Sequence, residues 1–230
     1  VPALRTSWSS STSSSTGAPY RRTGPLRTVG KRLAEAGGLR HARPVDSEHL
    51  TTAELEAGLD EVRAAPADGG RVELLVRRPA VDEREQLDEA KLDPDVGMVG
   101  DTWLVRGSSR TPDGASDPDK QLTVMNARLA ALVAGGPSRR ALAGDQIYVD
   151  LDISHANLPA GSRLALGEAV VEITQPPHAG CAKFAARFGK EALRFVNSPV
   201  GRELRLRGAN ARIVVAGAVR AGDAVRKLPD

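Results

Sequence analysis

The stretch Gly144-Asp145-Gln146-Ile147-Tyr148-Val149-Asp150-Leu151-Asp152, followed after a Pro/Gly turn by Arg163-Leu164-Ala165-Leu166-Gly167-Glu168-Ala169-Val170-Val171-Glu172-Ile173-Thr174, decides the fold of this 230-residue chain. Alternation puts Ile147, Val149 and Leu151 on one face, so the first segment reads as a half-buried strand. The second doubles back at Gly167-Glu168 as a hairpin. Upstream, Asp68-Gly69-Gly70 turns the chain into a strand over 71–77, Asp101 to Arg106 around Trp103 and Val105 reads as another, and a polar loop over 108–120 leads to a strand over 121–125. Downstream, 211–216, 218–220 and 224–228 are short strands between Gly turns.

Helices are fewer. Thr51 and Glu54 form a capping box ahead of Leu55, Leu59 and Val62, predicting a helix to about Ala65. Asn126 caps a second helix that Gly135-Gly136-Pro137 stops, and 182–197 is amphipathic with a break near Gly189. The expected class is therefore β-rich mixed α/β: a β-barrel or strongly bent mixed sheet with a few peripheral helices, not alternating βαβ units.

Charge is divided unevenly. Residues 1–43 hold Arg5, Arg21, Arg22, Arg27, Lys31, Arg32, Arg40 and Arg43 against Glu35, so of the chain's 32 basic and 29 acidic residues the remainder keeps 24 and 28, a net −4. The basic character of the chain comes from this Ser/Arg-rich arm, which lacks apolar periodicity and reads as disordered or as an artefactual extension ahead of a folded domain over 44–230. Nucleic acid is not the expected partner of the acidic remainder. One cysteine excludes an internal disulfide and a multi-thiolate zinc site, and fits a reducing cytoplasm. No apolar run approaches the ~20 residues that span a bilayer.

The single thiol, Cys181, stands in Gln175-Pro176-Pro177-His178-Ala179-Gly180-Cys181, where Pro176-Pro177 end a strand and Gly180 permits a close approach to the helix that follows. Free N–H groups and the helix dipole there favour a thiolate, which suits a nucleophile, a sulfur carrier or a soft-metal ligand. From 181 to 212, eight basic residues (Lys183, Arg187, Lys190, Arg194, Arg202, Arg205, Arg207, Arg212) face only Glu191 and Glu203, an excess suited to an anionic ligand near sulfur. The same pattern also describes an inert cysteine beside a solvated helix face. His178, three residues before the thiol, reads as a turn or ligand-contact histidine, or as one half of a Cys–His couple. No zinc-ligand spacing, Walker motif or dinucleotide fingerprint is present, and the acidic run Asp82, Glu83, Glu85, Asp88, Glu89 reads as a solvated segment.

With these residues placed, the chain resembles the MOSC family, the domain homologous to the C-terminal part of molybdenum-cofactor sulfurases. The resemblance rests on the ordered series at 97–101, 121–125, 144–152, 158–164, 177–184, 206–212 and 216–223; it runs from about 90 to 228 and is strongest after 144. It implies a MOSC-type β-barrel that either holds molybdenum-molybdopterin or transfers sulfur. Cys181 then becomes the molybdenum ligand or the carrier of a persulfide, and His178, Lys183, Arg187, Arg205, Arg207 and Asn210 are candidates for contacts to the cofactor. By resemblance the first role is that of an oxidoreductase of N-hydroxylated small molecules served by an electron-donor protein. The second needs a pyridoxal-phosphate cysteine desulfurase as partner, since this chain shows no pyridoxal-phosphate site of its own. A third reading is a non-catalytic anion-binding barrel whose thiol is incidental.

Overall fold

The computed structural model describes residues 49–109 and 111–229, so the arm expected over 1–43 lies outside the described residues. The alternating segments become strands β1 (Gly70–Arg77), β2 (Glu85–Leu87), β3 (Glu89–Asp93), β4 (Gly97–Met98), β5 (Leu122–Asn126), β6 (Ile147–Asp150), β7 (Arg163–Leu166), β8 (Ala169–Pro177), β9 (Ala209–Val215), β10 (Gly217–Arg220) and β11 (Ala224–Lys227). Seven of them form a ring in the order β11-β7-β8-β9-β5-β6-β1, closed where Gly70 and Arg71 of β1 pair with Val225 and Ala224 of β11. Closure removes the free edges that would otherwise invite strand addition. Within the ring, β5 and β6 run parallel and every other neighbour is antiparallel. The expected mixed barrel with peripheral helices is therefore what the chain forms.

Two cores follow from the strand faces. Val124, Ile147, Val149, Leu164, Val171, Ile173, Ala211 and Val225 fill the barrel interior. Met125 and Tyr148, on the opposite faces of β5 and β6, pack outside it beneath helices. Strand β1 serves both: a register shift between Val72 and Leu74 lets Val72 and Leu75 face inward while Leu74 and Val76 join the outer layer. Strict alternation would have placed Val72 and Leu75 on opposite faces.

The covering helices are α1 (Thr52–Ala57), α2 (Leu59–Arg63), α3 (Trp103–Arg106), α4 (Ala127–Ala134), α5 (Ala182–Asn197) and α6 (Pro199–Glu203). The capping box is formed: Glu54 N–H donates to Thr51 Oγ1 and Thr51 N–H to Glu54 Oε2. Asn126 Oδ1 caps α4 by accepting from the N–H groups of Arg128 and Leu129. Helix α4 and a 3-10 segment over Pro137–Ala143 carry the chain between the parallel pair β5 and β6, the kind of crossover parallel pairing requires. Among the described residues no helix is long and apolar enough to cross a membrane.

Three local expectations are corrected. Residues 101–106 are not a strand: the buried Asp101 carboxylate accepts from Arg78 N, Nε and Nη2 and from Trp103 N, which turns the chain into the short helix α3. The predicted helix over 51–65 is two helices meeting at Gly58, where a Cβ would lie 2.4 Å from Leu132 Cδ1. Strand β6 is buried on both faces, because Tyr148 lies under helices. The acidic run 82–89 is solvated as expected, and the backbone there adds strands the sequence did not announce, with Ala90 and Leu92 of β3 buried and β10-β3-β4 forming a small second sheet.

Candidate functional site

Strand β8 runs on through Pro176 and Pro177 instead of ending before them, but its pairing with β9 lapses there. Ile173 pairs with Ala211 and Pro177 with Ala209, so three residues of β8, Thr174 to Pro176, stand opposite Asn210 alone. The surplus backbone bows away and opens a slit in the barrel wall. Asn210 Nδ2 spans it by donating to Pro176 O at 3.0 Å. The slit widens into a cleft of about 420 Å³ lined by Thr174 to Ala179, the α5–α6 corner and residues 205 and 207–210, a volume within the range of ordinary ligand pockets.

Beneath the cleft a single carboxylate organises three distant segments. Asp145, fully buried, accepts from Arg207 Nη1 at 2.6 Å through Oδ2 and lies 3.1 Å from His178 Nε2 through Oδ1. Arg207 also donates to Ala143 O and stacks 5.1 Å from the centroid of Phe184, yet its buried Nε has no hydrogen-bond partner among the described residues. Gly208 makes this approach possible: at φ 111, a Cβ there would sit 2.7 Å from Val124 O and 3.2 Å from Asp145 Oδ1. Burial pushes the Asp145 carboxyl upward, but the charges of Arg207 and the contact with His178 outweigh it, so it stays below the ordinary carboxylate range. Burial, then Arg207, pushes His178 below its ordinary value against the pull of Asp145. The ring is thus neutral at neutral pH, with Nε2–H donated to Asp145 and Nδ1 left as an acceptor.

The candidates named from sequence fall into two groups. His178, Arg205, Arg207 and Asn210 line the cleft. Arg205 is committed to architecture: at φ 48, its Nη1 donates to Leu158 O at 2.5 Å and holds the turn after β6. Lys183 and Arg187 do not line the cleft; both donate to Asp82 Oδ1, each at 3.0 Å, on the loop between β1 and β2.

Cys181 is the N-cap of α5, with extended backbone, and is exposed. It lies two residues beyond Ala179, the last residue of its loop to line the cleft. Asn197 clamps that loop through Gly180, accepting from its N–H and donating to its carbonyl, and a Cβ at Gly180 would lie 2.8 Å from Leu193 Cδ1. His178 engages Asp145, and among the described residues no hydrogen bond joins it to the thiol. Nor do the described residues hold any group of three His, Cys, Asp or Glu able to bind a metal ion by themselves.

Sequence reasoning missed Asp145, Asn197 and His155 as parts of the site, and named Arg202 only as one of eight basic residues near the thiol. The first had a signal, an acid directly after Gly144 and ahead of a strand, but nothing local said that Arg207 would reach it.

Comparison with known proteins bears on this arrangement. The profile of the MOSC domain matches residues 118–226, which include β5 to β10, the cleft and Cys181. No curated protein matches the chain. Among solved structures, the chain is similar to one described as a hypothetical protein (20% identity over 70% of this chain and 68% of that one, TM-score 0.48). It is also similar to the YuaD protein of Bacillus subtilis (17%, 68% and 93%, TM-score 0.48) and to YiiM of Escherichia coli (18%, 70% and 70%, TM-score 0.46).

Proposed function

Because residues 118–226 place this chain in the MOSC domain family, we propose that it is a molybdenum-cofactor protein whose cleft holds molybdopterin and whose Cys181 supplies the one protein sulfur to the metal. The observation that carries this reading is the orphaned Nε of Arg207: a buried guanidinium N–H facing no partner, in a residue that lines a cleft of ligand size with His178 and Asn210. An unmade hydrogen bond of this kind costs about 1–3 kcal/mol, which an anionic ligand group would recover. The one thiol also fits such a cofactor in kind, since thiolate is a soft ligand.

When bound, such a cofactor supplies two-electron redox chemistry, the class needed to reduce an N–OH bond to N–H and water with electrons from a partner protein. The chain's own residues have narrower tasks. Arg202 and Arg207 present positive charge to the ligand's anionic group, Asn210 keeps the slit spanned, and neutral His178 offers Nδ1 as an acceptor. Asn197 fixes the loop that sets Cys181 at the head of α5.

The test is metal analysis of protein made in a host competent in molybdopterin synthesis. Molybdenum stoichiometric with protein is expected, lost in Cys181→Ser and reduced in Arg207→Gln; protein free of molybdenum under conditions that load a control enzyme refutes the reading. Metal retained in full by Cys181→Ser leaves a cofactor-binding barrel in which the thiol is incidental.

The exposure of Cys181, outside the cleft lining, favours a second reading, a persulfide carrier open to a pyridoxal-phosphate cysteine desulfurase. Mass spectrometry after incubation with such an enzyme and cysteine should then show one added sulfur on Cys181. An unmodified thiol beside a loaded control carrier removes this reading.

A further inference from the structure

Lys183 and Arg187, expected from sequence to meet an anion, meet one that the chain itself provides. Lys183 Nζ and Arg187 Nη2 both donate to the same oxygen of Asp82, leaving its Oδ2 without either cation. The loop that delivers Asp82 takes an unfavourable form to do so, with φ 63 at this non-glycine residue. The carboxylate is 59% exposed, held below the ordinary carboxylate range by its hydrogen bond to Lys183 and then by charge, and so is ionised and open to exchange with solvent.

The cations are in excess of that one acid. Arg84 and Arg187 converge above Gly144: the point where a Cβ would sit is 3.2 Å from Arg84 Nη2 and 3.4 Å from Arg187 Nη1. Arg78 donates from Nη1 to the carbonyl of the same glycine. Like charges this close repel; burial, then Arg187 and Arg78, push Arg84 below its ordinary value. Arg78 has Asp101 as its partner, but among the described residues Arg84 has no carboxylate in contact, donates only to the carbonyl of Glu83, and keeps a buried Nε without a partner. Nearby, the Tyr148 side chain is fully buried, and burial holds its hydroxyl in the neutral form. Three cations (Arg84, Lys183, Arg187) against one carboxylate leave two positive charges, the orphaned Arg84 Nε and glycine in place of a side chain at the point of convergence.

We infer that Arg84, Lys183 and Arg187 form a second anion site, separate from the cleft, for a dianionic oxyanion of the phosphate or phosphomonoester class, with Asp82 as the internal counter-ion that such a ligand displaces. The ligand's oxygens would take the free guanidinium edge of Arg84 and the donors now on Asp82, in the bidentate manner arginine favours. Gly144 directly precedes Asp145, so occupancy here would be felt by the residue that holds His178 and Arg207. The inference stands on its own residues and does not depend on molybdenum or on Cys181.

The probe is inorganic phosphate, titrated calorimetrically into the full chain at ionic strength held constant with chloride. Saturable binding that depends on Arg84 is expected. Asp82→Asn, which removes the competitor, should bind phosphate about threefold or more tightly, because the competent fraction of the site rises. Arg84→Gln should weaken binding about tenfold, the equivalent of one charge-assisted contact, and Arg84→Lys should fall between. Arg63→Gln, which removes an exposed arginine paired with Asp60 on α2, should leave the affinity unchanged. Absence of saturable binding in Asp82→Asn, equal affinity in wild type and Asp82→Asn, or loss of binding in Arg63→Gln in place of Arg84→Gln would each overturn the inference. The Asp82→Asn arm keeps it falsifiable should Arg84→Gln fail to fold.

Discussion

Asp145 shows how much one buried carboxylate can decide. It holds the start of β6, the loop after β8 and the turn before β9 through two partners that are 33 and 62 residues away in sequence. Its pairing with Arg207 is a desolvated ion pair, so its net contribution is smaller than the cost of breaking it. Asp145→Asn should therefore destabilise the fold by about 3–5 kcal/mol in urea denaturation, because it strands a buried guanidinium. The double variant Asp145→Asn/Arg207→Met should recover part of that loss. If the single and double variants are equally unstable, the cost lies in packing and not in the stranded charge. At this scale the sequence was partly legible. Local rules are sufficient to place Cys181 at the head of α5 and Asn126 at the head of α4, since a cap depends on residues within one turn. The partners of Lys183 and Arg187 were not, because Asp82 comes from a loop about a hundred residues away.

Among the elements, α5 carries Cys181 at its head, and it is kinked. Gly189, at φ 90 and ψ 162, adopts a conformation essentially reserved for glycine, and a Cβ there would also press 2.9 Å from His49 Cβ. The kink lets Phe184 and Phe188 on one half and Ala192 and Val196 on the other reach the same outer core. Gly189→Ala should cost about 1–3 kcal/mol, whereas Gly136→Ala, at an extended position with nothing within 4 Å, should stay within about 0.5 kcal/mol. Thermal denaturation of the two variants side by side checks the contrast. The break near Gly189 was readable because a lone glycine interrupts an amphipathic pattern. The lapse between β8 and β9 was not: it depends on which residues of a strand some forty positions later lie opposite, and Pro176-Pro177 read locally as a stop. The same limit hid β2 to β4, whose exposed charges mask the buried alternation of Ala90 and Leu92.

For the molecule as a whole, the depressed histidines and carboxylates act in one direction. His178 and His155 are both held below their ordinary value of 6.5, the first by burial and Arg207, the second by burial and Arg205. A group with a depressed folded-state pKa contributes stability that is complete above its unfolded value and is lost as pH falls through the folded one. Stability should thus be flat above about pH 7 and decline as pH falls through 6 towards 5. A second loss begins below about pH 4, as Asp145 and Glu172, both held below the carboxylate range, take up protons in the unfolded chain. Unfolding midpoints measured across this range should show both phases. His178→Gln should make the first shallower without abolishing it, since His155 remains; a first phase unchanged by that substitution would assign the loss elsewhere. The barrel itself was the most legible feature at this scale, because short alternating segments between Gly turns leave few other ways to bury two faces.

The slit between β8 and β9 has a mouth that cannot zip shut. Pairing the bowed segment back onto β9 would need donors along β8, and Pro176 and Pro177 have no N–H to give. Sliding the strand by one residue would also turn Val171 and Ile173 out of the barrel interior. The opening is therefore a permanent feature of the wall and not one state of a gate. A ligand entering it meets a surface already in its final shape and spends little of its binding energy on ordering the protein.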